Sequence, residues 1–90
     1  MSEKTMIEEI NKLKGVTTTP LNMFNLHTLY VDGVEVGYVR KIDDWIEVFA
    51  FFKYSYKPCD IGRVSLNVLS NMIERFRISN SFYVSHVNSN

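Results

Sequence analysis

Few side chains here can do covalent or acid–base chemistry. Among 90 residues there are one cysteine, Cys59, and two histidines, His27 and His86. Cys59 follows Pro58 in a loop ahead of a helix, where a helix N-terminus favours the thiolate. Neither histidine stands at a spacing that pairs with it, and a lone cysteine is ordinarily inert. The same three residues lack the ligand spacing of a metal site. Asp43 and Asp44 are adjacent carboxylates, and neighbours in a tight turn serve as solvated turn formers. Gly15, Gly33, Gly37 and Gly62 are scattered, so no glycine-rich phosphate loop is formed. The expectation is a non-catalytic chain that needs no cofactor and no metal.

What remains is aromatic chemistry. Residues 45–56, WIEVFAFFKYSY, hold half of the aromatic side chains in the chain. Aromatic rings on a sheet face stack nucleobases or anchor a protein partner. Tyr38, Phe49 and Phe51 beside Arg40 and Lys53 suit the first use. The charge balance argues against it. Ten basic and ten acidic residues cancel. A nucleic-acid binder usually carries a basic surplus, because phosphate neutralisation drives its binding. A DNA mimic needs the opposite surplus. The first fifty residues lean acidic and the last forty lean basic, too weakly to steer a ligand.

Other classes fall away on composition. With a single cysteine no internal disulfide forms. No apolar run reaches the ~18 residues of a membrane span. The N-terminal MSEKTMIEEI is charged and amphipathic, unlike a secretory signal. A cytoplasmic protein is expected. Alanine occurs once and glutamine not at all, while Asn, Ile, Lys, Tyr and Phe are plentiful. Such usage suits an AT-rich genome and the small proteins of phages and mobile elements.

The elements that must position the aromatics follow from periodicity. Met6, Ile7, Ile10 and Leu13 lie on one face of a helix. Ser2 or Thr5 caps it, Thr5 with Glu8 forming a capping box, and Gly15 fits the position after its end. Residues 17–20, three threonines and a proline, read as a linker. Leu26–Val31 and Val34–Ile42 alternate around Asp32-Gly33, the signature of a hairpin with a two-residue type I′ turn. That turn pairs Val31 with Val34 and Leu29 with Val36. A second turn at Asp43-Asp44 leads into a third strand, Trp45–Tyr54, stopped by Pro58. Asp60 or Ser65 caps a second helix with Leu66, Leu69, Met72, Ile73 and Phe76 on its apolar face. That helix ends near Arg77, broken by Ser79-Asn80-Ser81. Phe82–Val87 fits a short edge strand, and 88–90 a frayed tail. One α+β domain over 1–90 results: a three- to four-stranded antiparallel meander with two helices on one face. The helix–three-strand–helix order is shared with double-stranded-RNA-binding domains. Their basic cluster at the start of the second helix is matched here by Arg63 alone.

Strand alternation then sorts the faces. One holds Leu26, Thr28 and Tyr30, Gly37 and Val39, and Ile46, Val48, Ala50 and Phe52. Gly37 opposite Ala50 leaves a shallow groove for the helices, unless the glycine marks a bulge. The other face holds His27, Leu29, Val31 and Ile42, and gathers Tyr38, Arg40, Trp45, Glu47, Phe49 and Phe51 with Val34 and Val36, Arg40 lying opposite Glu47. Four aromatics there would equal or exceed the ~300–600 Å² of the largest apolar patch on an ordinary monomer. This second face is expected to meet a protein partner or a second copy in a homodimer. Two alternatives remain open. The chain's own residues 16–24 or 82–87 cover the face, or the face binds single-stranded nucleic acid or RNA.

Overall fold

The computed structural model describes the backbone of residues 2–52 and 58–88, and side chains over 2–51 and 60–80. The first helix, α1 (Glu3–Asn11), starts where Ser2 Oγ accepts the Thr5 N–H at 3.1 Å. Of the two capping candidates, Ser2 is the cap. Glu3 in the first turn suits the positive end of the helix dipole. Met6 and Ile10 point inward and are buried. Lys12 closes the helix, and Gly15 sits further on in a left-handed turn at φ 71°.

The next residues correct the expected linker. Val16–Thr18 forms β1, paired antiparallel with β2 (His27–Val31). The β-branched residues that cannot extend a helix are good strand formers once a neighbour supplies the ladder. β2 turns through Asp32 and Gly33, both at positive φ, into β3 (Val34–Ile42). Asp43-Asp44 leads β3 into β4 (Trp45–Phe49), with Ile42 opposite Trp45 and Arg40 opposite Glu47 as expected.

Two backbone irregularities separate the structure from ideal alternation. The first is a bulge. Tyr30 pairs with Glu35, but Leu29 pairs with Gly37 in place of Val36, so Val36 is an extra residue. The bulge turns His27, Leu29 and Val31 to the same side as Val39 and Val48, reversing the expected face of β2 and taking Val36 from the expected aromatic cluster into the core. Gly37 marks the bulge, at φ 157°. A Cβ there would lie 2.9 Å from the Phe49 carbonyl oxygen and 3.1 Å from Phe51 Cα. The second irregularity is Ala50, in the left-handed region at φ 51°. It ends the third strand at Phe49, short of Tyr54. Phe51 and Phe52 form β5, which pairs with β6 (Pro58–Cys59) in a separate two-stranded sheet. Pro58 therefore lies in a strand and does not merely end one. Lys53 and Tyr54 lie outside the described residues.

A further strand, β7 (Gly62–Val64), pairs with β4 and completes a five-stranded antiparallel sheet of order β1-β2-β3-β4-β7. The expected meander forms its centre, and a short strand flanks it on each side. Ser65 then caps α2 (Leu66–Asn88), its Oγ accepting the Val68 N–H at 3.3 Å. Leu69 and Ile73 are buried, and Leu66, Met72 and Phe76 pack beside them, the apolar set read from the sequence. The helix runs past Ser79-Asn80-Ser81. Ser79 Oγ donates to the Arg75 carbonyl at 2.8 Å, satisfying the hydroxyl within the helix. The expected edge strand at 82–87 is helical backbone instead, and the side chains of that segment lie outside the description. The core combines Met6 and Ile10, Leu69 and Ile73, and the valines of the sheet. Both helices thus cover one face of an α+β fold. Among the described residues no helix is long and apolar enough to cross a membrane.

Candidate functional site

The face of β3 and β4 opposite that core carries most of the residues singled out from the sequence. Tyr38 pairs with Phe49, and Ile42 with Trp45. Between these pairs Arg40 reaches Glu47 Oε1 with Nε and with Nη2, each at 2.7 Å. Its guanidinium carbon lies 5.3 Å from the centre of the Phe49 ring, a cation–π distance. Phe49 is half-buried and Trp45 is 48% exposed. The Tyr38 hydroxyl donates to Glu35 Oε1 at 3.0 Å. This bond, and then the Glu35 charge, hold the phenol above its ordinary pKa.

Phe51 does not belong to this cluster. It is 2% exposed, inside the core. The expectation placed it with Phe49 because two residues along an unbroken strand share a face. The left-handed turn at Ala50 sends the chain elsewhere, held where the Ala50 N–H donates to Asp60 Oδ1 at 3.0 Å. The open face is therefore smaller than expected: Tyr38, Arg40, Ile42, Trp45, Glu47 and Phe49.

Of the cysteine and the two histidines, only His27 has a described side chain. His27 is 6% exposed, with Nδ1 2.8 Å from the Thr19 carbonyl and Nε2 2.9 Å from Glu3 Oε1. It joins α1 to the segment after β1. The side chains of Cys59 and His86 lie outside the description. Among the described residues no three His, Cys, Asp or Glu side chains gather as metal ligands would.

The loop between β1 and β2 is a feature that sequence reasoning missed. Asn22 Oδ1 accepts the N–H groups of Phe24 and Leu26, at 2.8 and 3.1 Å. The Asn22 N–H donates to the Leu26 carbonyl, and Asn25 lies at φ 59°. Thus ordered, the loop presents Met23, 87% exposed, and Phe24, 71% exposed. The available signal was the pair of asparagines, residues that bond their own backbone and tolerate left-handed geometry. Beside the loop lies a cavity of about 380 Å³, lined by Glu3, Leu21, Asn25, Arg40, Lys41 and Ile42.

Compared with family models, curated proteins and solved structures, the chain matches none.

Proposed function

We propose that this chain is a small non-catalytic protein-binding module, one that acts by occupying the surface of another protein through the open face of β3 and β4. One observation carries the reading. Both helices pack on the opposite side of the sheet, while Tyr38, Trp45 and Phe49 flank a hydrogen-bonded Arg40–Glu47 ion pair on this side. Aromatic and arginine side chains dominate interface energetics. An ion pair already formed before binding spares the partner the cost of ordering it. The partner is a protein of the cell in which the chain is made, or a second copy. The composition suits a phage or mobile-element product directed at a host protein.

The competing reading, a nucleic-acid binder on the same rings, is less well supported. Arg40 is hydrogen-bonded to and ion-paired with Glu47, so its charge is offset where a phosphate would sit. The test compares two titrations. Association with a protein recovered from the host lysate should fall by ~2 kcal/mol or more in Phe49→Ala or Trp45→Ala. Binding to mixed oligonucleotides that weakens steeply with salt would favour the competitor.

A further inference from the structure

β3 has nine residues and its neighbour β2 has five. Their pairing ends at His27 opposite Val39. On its other side β3 stays paired with β4 as far as Ile42 opposite Trp45. Arg40, Lys41 and Ile42 are thus flanked by a strand on one side only. In an antiparallel ladder successive residues direct N–H and C=O alternately to the two sides. At least one of the three therefore directs both groups away from β4. The cavity of about 380 Å³ lies against these same three residues, with Leu21, Asn25 and Glu3 as its remaining walls. It stands where a longer β2 would have run. The loop keeps β2 short. Asn25 in left-handed geometry and the bonds to Asn22 turn the chain aside before His27.

We infer that this notch takes an extended segment of a partner protein, which adds to the sheet as a strand beside Arg40–Ile42. Main-chain bonds give an added strand its affinity, and its alternate side chains give specificity. The lining names the chemistry. Glu3 is bonded to His27, and Arg40 to Glu47. Lys41 is the lining charge with no ion pair among the described residues. Leu21 and Ile42 supply apolar wall. Lys41 and Ile42 are neighbours on one strand and point to opposite faces. The fitting segment therefore places an acidic residue next to an apolar one. A second copy fits less well, because two β3 edges meeting antiparallel about Lys41 would set like charges opposite each other. The inference goes beyond the open-face reading, since it uses the edge of β3 and that reading uses its face.

The test is selection from a displayed library of random eight-residue peptides, with the intact chain as bait. Recovered peptides should share an acidic residue beside an apolar one. When bound, they should slow amide exchange within Arg40–Ile42. Lys41→Glu and Leu21→Glu should each weaken binding about tenfold, while Val68→Ala, an exposed position on α2, leaves it unchanged. Methylating the peptide nitrogen that faces β3 should weaken binding several-fold, by loss of one ladder bond. Leu21 is exposed and Lys41 partly so, so both variants should melt as the parent does. Three results would overturn the proposal. One is no enrichment over a library bearing no peptide. Another is recovered peptides that ignore both variants or that Val68→Ala weakens as much. The third is a dimer of the free chain that protects the same amides, which would make a second copy the occupant. Loss of the host partner in Phe49→Ala alone bears on the open-face reading and leaves the notch intact.

Discussion

The two faces of the β3–β4 ladder are built from alternate residues of the same strands, yet they differ in kind. One carries Val39, Ile46 and Val48, all buried under helices. The other carries Tyr38, Arg40, Trp45, Glu47 and Phe49, with Tyr38 opposite Phe49 and Arg40 against both Glu47 and the Phe49 ring. Alternation alone sorts β4, and β3 from Tyr38 onward, this way. It does not sort the strands on either side. A bulge at Val36 decides which face β2 shows, and a left-handed residue at Ala50 decides where Phe51 goes. A sheet face is thus defined by its irregularities as much as by its period.

The sharpest way to break this comparison is to truncate one phenylalanine on each side. Phe51→Ala empties a core position and should cost about 3–5 kcal/mol. For a domain of this size that is a large share of total stability. Phe49→Ala removes a ring that Arg40 stands over. It should cost about 1 kcal/mol, mainly the cation–π contact and partial burial. Chemical denaturation of both variants measures the gap. Equal losses would mean that something covers the open face as firmly as the helices cover the other.

The bulge offers the next largest effect. Gly37→Val would drive a Cβ against the Phe49 carbonyl oxygen and Phe51 Cα, backbone atoms that cannot swing aside. Overpacking of this kind costs about 1–3 kcal/mol. If melting is unchanged, the register must have slipped to the ideal hairpin. In that register Leu29 lies opposite Val36, and the buried side of β2 turns outward.

These irregularities mark where the sequence was legible and where it was not. Both helices, the Asp32-Gly33 turn, the Arg40–Glu47 pairing and the open face of β3 and β4 follow from local signals. Each rests on periodicity or on turn chemistry within a few residues. β1 and β7 were missed because three-residue strands have too little pattern to announce themselves. Val16–Thr18 becomes a strand through pairing with β2, a contact between distant parts of the chain. Ala50 was opaque for another reason. Alanine has no preference for left-handed geometry, so nothing in its type signals the turn. The cluster on the open face was legible except for Phe51, which depended on the strand continuing straight, and Val36, which the bulge turns into the core. The Met23-Phe24 loop was hidden by its composition, since apolar residues in a linker read as core.

Ala50 also supplies a gain. A residue with a Cβ held at φ 51° carries a steric cost of about 1–2 kcal/mol that glycine lacks. Glycine loses more entropy on folding, about 0.5–1 kcal/mol. Ala50→Gly should therefore leave stability equal or raise it by up to about 1.5 kcal/mol. A clear loss would show that the Ala50 methyl makes contacts that outweigh its strain. Paired with Gly37→Val, the substitution tests whether both backbone irregularities are set by local sterics.

The smallest expected effect lies on the open face and is a titration. Tyr38 donates to Glu35, and this bond, followed by the Glu35 charge, holds its hydroxyl above the ordinary tyrosine value. The sign follows from which form the neighbour favours. The carboxylate accepts the phenol proton and repels the phenolate, so deprotonation is delayed to higher pH. Glu35→Gln keeps an acceptor but removes the charge, and the Tyr38 titration should move down toward that of a free tyrosine. Absorbance or NMR titration through the alkaline range reads the change. Glu35 is exposed and Tyr38 half-exposed, so the global stability of the variant should be close to the parent's. A Tyr38 titration indifferent to Glu35→Gln would mean that the hydroxyl points away from Glu35 in solution. The ring would then be free to turn toward a partner, and the open face would be less preorganised than its Arg40–Glu47 centre.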